Sequence, residues 1–355
     1  MEEKTDILGL LDLMTRPGFC VKDERIVKVN SAAQALMLEV GTPIADLLQT
    51  GAEEYGELKE GCLCLTVNLA GIPVNATVTA MDDYRIFILD QDTDDAVFNA
   101  MALVSRELRK PLDSVMSLAD QLLSKEDQSE ESRQQAAHLN RGLYQILRIV
   151  GNLAYPASAG FGAMEVRDVG AIVDEILEKA QTLLAEKKIP LIYEGLSKSV
   201  YCLVDAVLLE RAVLNLISNA VKFSPEGSPI RVSFSLRGRT LQLQVQDSGA
   251  GIAQQVKNDL FYRYLRQPGI EDGRFGMGLG MVLIRSCAAR HGGVVLVDEP
   301  EHGGSRITMT LAIRQSSGDR LHSPMNLWVD YTGGRDHALV ELSDCLTAQH
   351  YDTTK

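Results

Sequence analysis

The stretch from Leu208 to Phe223, LLERAVLNLISNAVKF, constrains this chain more than any other. Leu209, Val213, Leu216, Ile217, Ala220 and Val221 recur at helical spacing, the pattern of a helix packed on a sheet. Asn215, Asn219 and Lys222 nevertheless fall at i, i+4 and i+7, so one helical face carries two amides and an ammonium. Polar groups on a mostly buried helix need partners. Two amide oxygens and a cation close together suit a hydrated Mg²⁺ and a polyphosphate. A polar stripe turned to solvent would have the same spacing, and the choice falls to the segments downstream.

Composition narrows the partners. A length of 355 residues favours two or three domains. The formal net charge of -13 counts against nucleic acid as a main partner, because phosphate backbones need clustered Lys and Arg. It suits a small ligand or another protein. No window approaches the ~20 apolar residues of a membrane span. The N-terminal run MEEKTDILGLLDLM places acids before its apolar residues, unlike a secretory signal, so a cytosolic chain is expected. Cys20, Cys62, Cys64, Cys202, Cys287 and Cys345 form no paired CxxC clusters and read as small buried hydrophobes rather than zinc ligands.

Residues 1–95 read as a small α+β module. A helix is expected over 5–14. Gly18 to Asn30 reads as strand, acidic turn, strand, and Ser31 is placed to cap a helix over AAQALMLEV. Strands are expected at 62–68, 74–80 and 84–89, punctuated by turns at Gly71-Ile-Pro73 and Asp82-Asp83. This order resembles a PAS sensor domain, without a His or Cys placed for haem or flavin. A dimerisation or spacer module without ligand accounts for the same pattern.

Residues 96–158 read as a helical hairpin. Runs at 96–123 and 133–153 flank an acidic, Ser-rich turn, with Leu103, Leu108, Leu112, Val115, Leu118 and Leu122 at helical spacing on the first. Leu139, Leu143, Ile146, Ile149, Val150 and Leu153 do the same on the second. Two helices cannot bury both faces alone, so pairing with a second copy into a four-helix bundle is expected. The segment Ser105-Arg106-Glu107-Leu108-Arg109-Lys110-Pro111-Leu112 resembles the H-box of sensor histidine kinases. Arg106 stands where that family has its phosphoaccepting His, and a guanidinium has no lone pair with which to attack a phosphate. The resemblance makes Glu107 an acid/base without its nucleophile. His138 reads as a surface or bundle-edge residue rather than a substitute acceptor.

Residues 159–314 carry the remaining signals. Helices are expected at 169–188 and 281–291, with Asp205 capping the central helix, and strands at 190–193 and 199–204. Alternation in 230–236 and 241–245 across Arg237-Gly238-Arg239 reads as an antiparallel hairpin with one buried face. The second strand runs into Asp247-Ser-Gly249-Ala-Gly251-Ile252. There a carboxylate at the strand end can accept from an exocyclic amine, and the glycines let backbone approach a flat base. A polar stretch with the character of a lid, including Arg266, leads to Gly276-Met-Gly278-Leu279-Gly280 at a helix start, where free N–H groups and the helix dipole favour phosphate.

Asn-x₃-Asn-x₂-Lys-Phe, Asp-x-Gly-x-Gly-Ile, Leu-Phe-x-Arg-Tyr-x-Arg and Gly-x-Gly-Leu-Gly, in that order, resemble the N, G1, F and G2 boxes of the histidine kinase ATPase domain, of the GHKL class. The resemblance implies that Asn219 coordinates Mg²⁺ with Asn215 nearby. Lys222 and Arg266 would meet phosphates, Phe223 would pack on adenine, and Asp247 would bind its amine beside Gly249, Gly251 and Ile252. Gly276, Gly278, Leu279 and Gly280 would supply the lid end and the phosphate-binding amides. ATP and Mg²⁺ are therefore the expected ligands.

The expected architecture is α+β and multidomain: a PAS-like sensor, a two-helix dimerisation hairpin and a GHKL α/β sandwich. Residues 315–355 form an extension of unknown role, with a short hairpin expected from 326–330 and 338–342 and too little length for a receiver domain. The resemblance implies a two-component signalling protein that forms homodimers, or heterodimers with an active kinase, and meets a response regulator. Loss of the acceptor favours a pseudokinase. A GHKL ATPase outside two-component signalling, a Ser-directed anti-sigma-type kinase, and a scaffold without nucleotide are the alternatives.

Overall fold

The computed structural model describes residues 9, 11–12, 14–90, 93–123, 129–154, 163–252, 279–301, 303–314 and 332–352, with side chains omitted at 93–102, 106, 122–123 and 154. Of the helix expected over 5–14, residues 9, 11 and 12 are described, and they are helical.

Strands β1 (Gly18–Lys22) and β2 (Arg25–Val29) pair antiparallel through Asp23 and Glu24. Both turn residues have positive φ, as a tight two-residue hairpin needs. Helix α1 (Ser31–Gln34) is capped by Asn30, one residue before the expected Ser31, because the Asn30 Oδ1 accepts from the Ala33 N–H at 2.9 Å and also from Gly18 N–H at 3.0 Å. The helix lasts one turn instead of reaching Val40. Leu36, Met37 and Val40 are exposed, so no surface rewards its continuation, and a single turn is marginal by itself. After α2 (Ala52–Glu57) come β3 (Cys62–Leu69), β4 (Ile72–Met81) and β5 (Tyr84–Leu89), a meander. Ala70 and Gly71 make the tight turn, so Ile72 and Pro73 belong to β4 rather than to the expected turn, with Pro73 opposite Asn68.

Helices α3 (Thr93–Leu123) and α4 (Glu130–Ala154) pack against each other as a hairpin. Met116, Ala119, Leu143, Leu147 and Val150 are buried between elements, and the Ser105 hydroxyl donates to the Val150 carbonyl at 2.5 Å. Among the described residues no helix is long and apolar enough to cross a membrane.

The remainder contains β6 (Glu165–Asp168), α5 (Val169–Leu184), β7 (Leu191–Glu194), β8 (Tyr201–Val204), α6 (Ala206–Phe223), β9 (Ile230–Arg237) and β10 (Thr240–Gln246). It closes with α7 (Leu279–Arg290), β11 (Val295–Asp298), β12 (Arg306–Ala312) and α8 (His337–Glu341). Asp168 caps α5 through Gly170 N–H, and Asp205 caps α6 through Leu208 N–H, the latter as the sequence predicts. Ile230, Val232 and Phe234 on β9 and Leu241, Leu243 and Val245 on β10 turn inward under α6, while Arg231, Ser233, Gln244 and Gln246 line the opposite face.

Ten strands form one sheet in the order β2-β1-β5-β4-β3-β11-β12-β10-β9-β7; β6 and β8 pair separately. The joint is β3 against β11, antiparallel, with Cys62 opposite Val297 and Cys64 opposite Val295. It explains the apolar character of both faces of β3. Cys62 and Cys64 sit in the core under α6 and α7, whereas Leu63, Leu65 and Val67 sit in the core of the first module. An Arg285–Asp90 ion pair at 3.0 Å reinforces the joint from α7.

The C-terminal segment differs from expectation. Residues 338–342 belong to α8 and its cap instead of a strand, and they pack on α4, α5 and α6 rather than on a sheet edge. A short run of four apolar residues around Glu341 reads equally as strand or buried helix by pattern, and the Asp336 carboxylate, accepting from Ala338 and Leu339 N–H, decides for helix. Residues 326–330 lie outside the described residues.

Candidate functional site

Three backbone segments converge at the C-terminal end of α6. The Asp247 carboxylate, buried at the end of β10, accepts from Gly249 N–H at 2.7 Å and Ser305 N–H at 3.1 Å through Oδ1. Burial pushes this carboxyl up from its ordinary value, and those two N–H donors oppose the rise. Gly249 lies against the Phe223 carbonyl, which a Cβ would meet at 2.4 Å. Gly304, with φ +85°, lies against the Asp247 carbonyl, which a Cβ would meet at 2.2 Å. Gly249 and Gly304 are thus required by close backbone approach, whereas Gly251 (φ +78°) and Gly303 (φ +81°) are favoured by their left-handed backbone. Ile252 packs on the core beside them.

Helix α7 begins against the same helix. Leu279 is buried, and Gly280 faces Asn215, whose Oδ1 would lie 2.9 Å from a Cβ there. The structure therefore brings Asn215, Asn219, Lys222, Phe223, Asp247, Gly249, Gly251, Ile252, Leu279 and Gly280 to one end of one core. Arg266, Gly276 and Gly278, and the lid and F-box segments, lie outside the described residues. Glu107 is exposed on α3, and so is His138 on α4. The backbone at Arg106 is helical, within α3.

The two amides of α6 differ. Asn219 is half-buried, with its Nδ2 3.6 Å from the Met281 sulfur. Asn215 is wholly buried and fully engaged: its Nδ2 donates to the Arg211 carbonyl and to Glu341 Oε2, each at 2.9 Å, and its Oδ1 accepts from Arg148 Nη2 at 2.9 Å. Sequence reasoning missed this cluster. Arg211 Nε donates to Glu341 Oε1 at 2.8 Å and its Nη2 to Asn152 Oδ1 at 2.6 Å. Arg148 Nη1 donates to Asp344 Oδ2 at 2.7 Å, and Lys222 pairs with the same oxygen. Burial works to raise the Asp344 carboxyl, but the charges of Arg148 and Lys222, with Arg141 beyond, outweigh it and hold it below the ordinary range. The available signal was Arg211 itself: an arginine amid the apolar residues of a buried helix demands a buried acid.

This arrangement, a long helix bearing polar groups over an antiparallel sheet with glycine turns at its end, defines an ATPase domain of the GHKL class. Residues 204–315 match the histidine kinase-, DNA gyrase B-, and HSP90-like ATPase family. The sensor-like histidine kinase SenX3 of Mycolicibacterium smegmatis is 28% identical over 272 residues, which covers 72% of this chain and 69% of that protein. The sensor protein KdpD of Clostridium acetobutylicum is 27% identical over 58% of this chain, which spans only 24% of that relative's length. Full-length ShkA, whose crystal structure is a complex with AMPPNP, superposes with a TM-score of 0.50 at 22% identity, covering 62% of this chain and 46% of that one. Residues 204–315 thus belong to that ATPase family, and the chain is similar over most of its length to sensor histidine kinases.

Proposed function

We propose that this protein is a two-component-type signalling protein that binds Mg-ATP at the end of α6 and, for want of an acceptor at Arg106, acts as a pseudokinase through conformation. The observation that carries the reading is the placement of Asn219 and Lys222 in the last turns of α6, with the Asn219 amide against Met281 of α7, Gly280 against Asn215, and Gly249 against both the Phe223 carbonyl and Asp247. The donor set fits the ligand. The Asn219 amide oxygen is of the hard type that Mg²⁺ takes, Lys222 supplies a cation for phosphates, and the Asp247 carboxylate can accept from an amine. Bound Mg-ATP would supply a transferable phosphoryl group. The part of this chain is to hold it, exclude water and orient it toward α3, where Arg106 cannot receive it. The AMPPNP complex of ShkA is in keeping with a nucleotide in this fold.

We assign residues 1–95 to a PAS-like sensor, 96–158 to the dimerisation hairpin, 159–314 to the ATP-binding domain and 315–355 to an extension. Leu103, Leu108, Val115, Leu118, Leu139 and Ile146 are 47–59% exposed on the hairpin, which supports pairing with a second copy or with an active kinase. A response regulator or another signalling protein is the downstream partner. Free, buried cysteines are in keeping with the cytosol.

Thermal unfolding with Mg-ATP tests the ligand. A ligand at 100 times its Kd stabilises the native state by about 2.7 kcal/mol, and Asn219→Ala removes the shift. Incubation with γ-labelled ATP tests the chemistry: no label is expected on the wild type and acid-labile label on Arg106→His. Label on the wild type would restore an active kinase, and absence of any thermal shift would leave a scaffold.

A further inference from the structure

The extension ends in a strap that joins the hairpin to α6. Arg335 reaches Asp120 on α3 at 3.1 Å, Asp336 pairs with Lys179 on α5 at 2.7 Å, and His337 contacts Glu210 on α6 at 2.7 Å. Beyond α8, Arg141 on α4 donates to the Ser343 carbonyl at 3.2 Å, and the Tyr351 ring packs edge-on against Tyr144 at 4.9 Å. Val340, Leu342, Leu346 and Tyr351 are no more than 2% exposed, so this segment is core rather than tail.

Its two acids differ in depth. Glu341 is inaccessible to solvent and pairs with Arg211 and Arg148, both nearly so. Asp344 stands at the rim, 32% exposed in its side chain, and pairs with Lys222 at 17%. Lys222 lies in the last turn of α6, where the helix dipole already favours a cation, so it needs no buried acid to be tolerated. The carboxylate nevertheless puts an anionic oxygen on the very ammonium that phosphates would use.

We propose that the strap is a built-in competitor for nucleotide: the Ser343–Leu346 turn, through Asp344 on Lys222, and the phosphates of Mg-ATP exclude one another. The proposal rests on the nucleotide-binding reading above. Glu341 anchors α8 in both states, and the rim turn exchanges. Since the same turn also holds Arg148 and Arg141 of α4, occupancy of the pocket loosens the ATPase domain from the hairpin. That gives a protein without an acceptor a conformational output.

The test is titration of the full chain and its Asp344→Asn variant with Mg-AMPPNP, alongside iodoacetamide labelling of Cys345, which is 2% exposed beside Asp344. The variant is expected to bind about twofold to fivefold more tightly, the worth of one partly exposed ion pair. In the wild type, which needs no substitution, Cys345 labelling is expected to rise with nucleotide occupancy. Equal or weaker binding by the variant, with Cys345 shielded throughout, overturns the competitor and leaves nucleotide binding standing. Failure of both chains to bind at millimolar nucleotide overturns both readings together.

Discussion

Glu341 accepts a hydrogen bond from Arg211 Nε at 2.8 Å across 130 residues of chain, and both side chains are almost wholly removed from water. Breaking such a pair leaves an uncompensated buried charge, which costs about 3–5 kcal/mol, whereas replacing both charges with apolar groups of similar volume is often neutral. Glu341→Leu is therefore expected to lower the melting temperature and to strip hydrogen-exchange protection from amides 337–346. Arg211→Met combined with Glu341→Leu is expected to recover most of that loss. A double variant no more stable than the single one would show that Arg148 and Asn215, not Arg211, set the need for Glu341.

Burial also silences the thiols. It pushes Cys20 and Cys202 up to about 11 and Cys64 up to about 12, so thiolate is scarce at neutral pH. All six cysteines are free and buried. Without nucleotide, iodoacetamide is expected to label none of them in the native chain and all of them in urea, as counted by intact mass. Fast labelling of one site in the native state would mark a segment that opens readily.

The legible and illegible parts of this chain differ in range. Alternation in β9 and β10, the Asp205 cap and the ends of α6 could be read because each depends on neighbours within a few residues. The glycine turns could be read because their spacing is local. The β3–β11 joint could not, since antiparallel edges pair by proximity in space; the hint was Cys62-Leu-Cys-Leu65, apolar on both faces as a doubly covered strand must be. Arg211 announced a missing acid, yet nothing local said that the acid was Glu341. Helical spacing alone pairs Asn215 with Asn219, whereas the fold spends the Asn215 amide on Arg148 and Glu341.

The sheet joint predicts how the first module is held. Gly61 has φ +92°, and a Cβ there would lie 2.1 Å from the Val297 carbonyl of β11. Gly71 has φ +90° with nothing within 4 Å. The two glycines thus share a backbone strain and differ in the contact. Gly71→Ala is expected to cost about 1–2 kcal/mol, the left-handed penalty alone. Gly61→Ala must also part β3 from β11. Hydrogen exchange at Leu63 and Leu296 is expected to accelerate in Gly61→Ala and not in Gly71→Ala; equal protection in the two variants would mean that the joint tolerates a methyl group.

His291 ties acid stability to the start of α6. The Asp205 N–H donates to its Nε2 at 3.0 Å, so that nitrogen is unprotonated, and Nδ1–H donates to the Cys287 carbonyl at 2.7 Å. Desolvation lowers its pKa below the ordinary value, opposed by the Cys287 hydrogen bond and by Asp205. The folded state therefore binds its proton less readily than the unfolded state. The contribution is fully present above the unfolded pKa, falls as pH drops through it and levels off below the folded pKa. Within that window one proton changes stability by at most about 1.4 kcal/mol per pH unit. Urea midpoints measured from pH 7.5 to 5.5 are expected to fall in the wild type. In His291→Gln they are expected to start lower, because Asp205 N–H loses its fitted acceptor, and to vary less with pH. Parallel curves for the two proteins would assign the acid sensitivity to other groups.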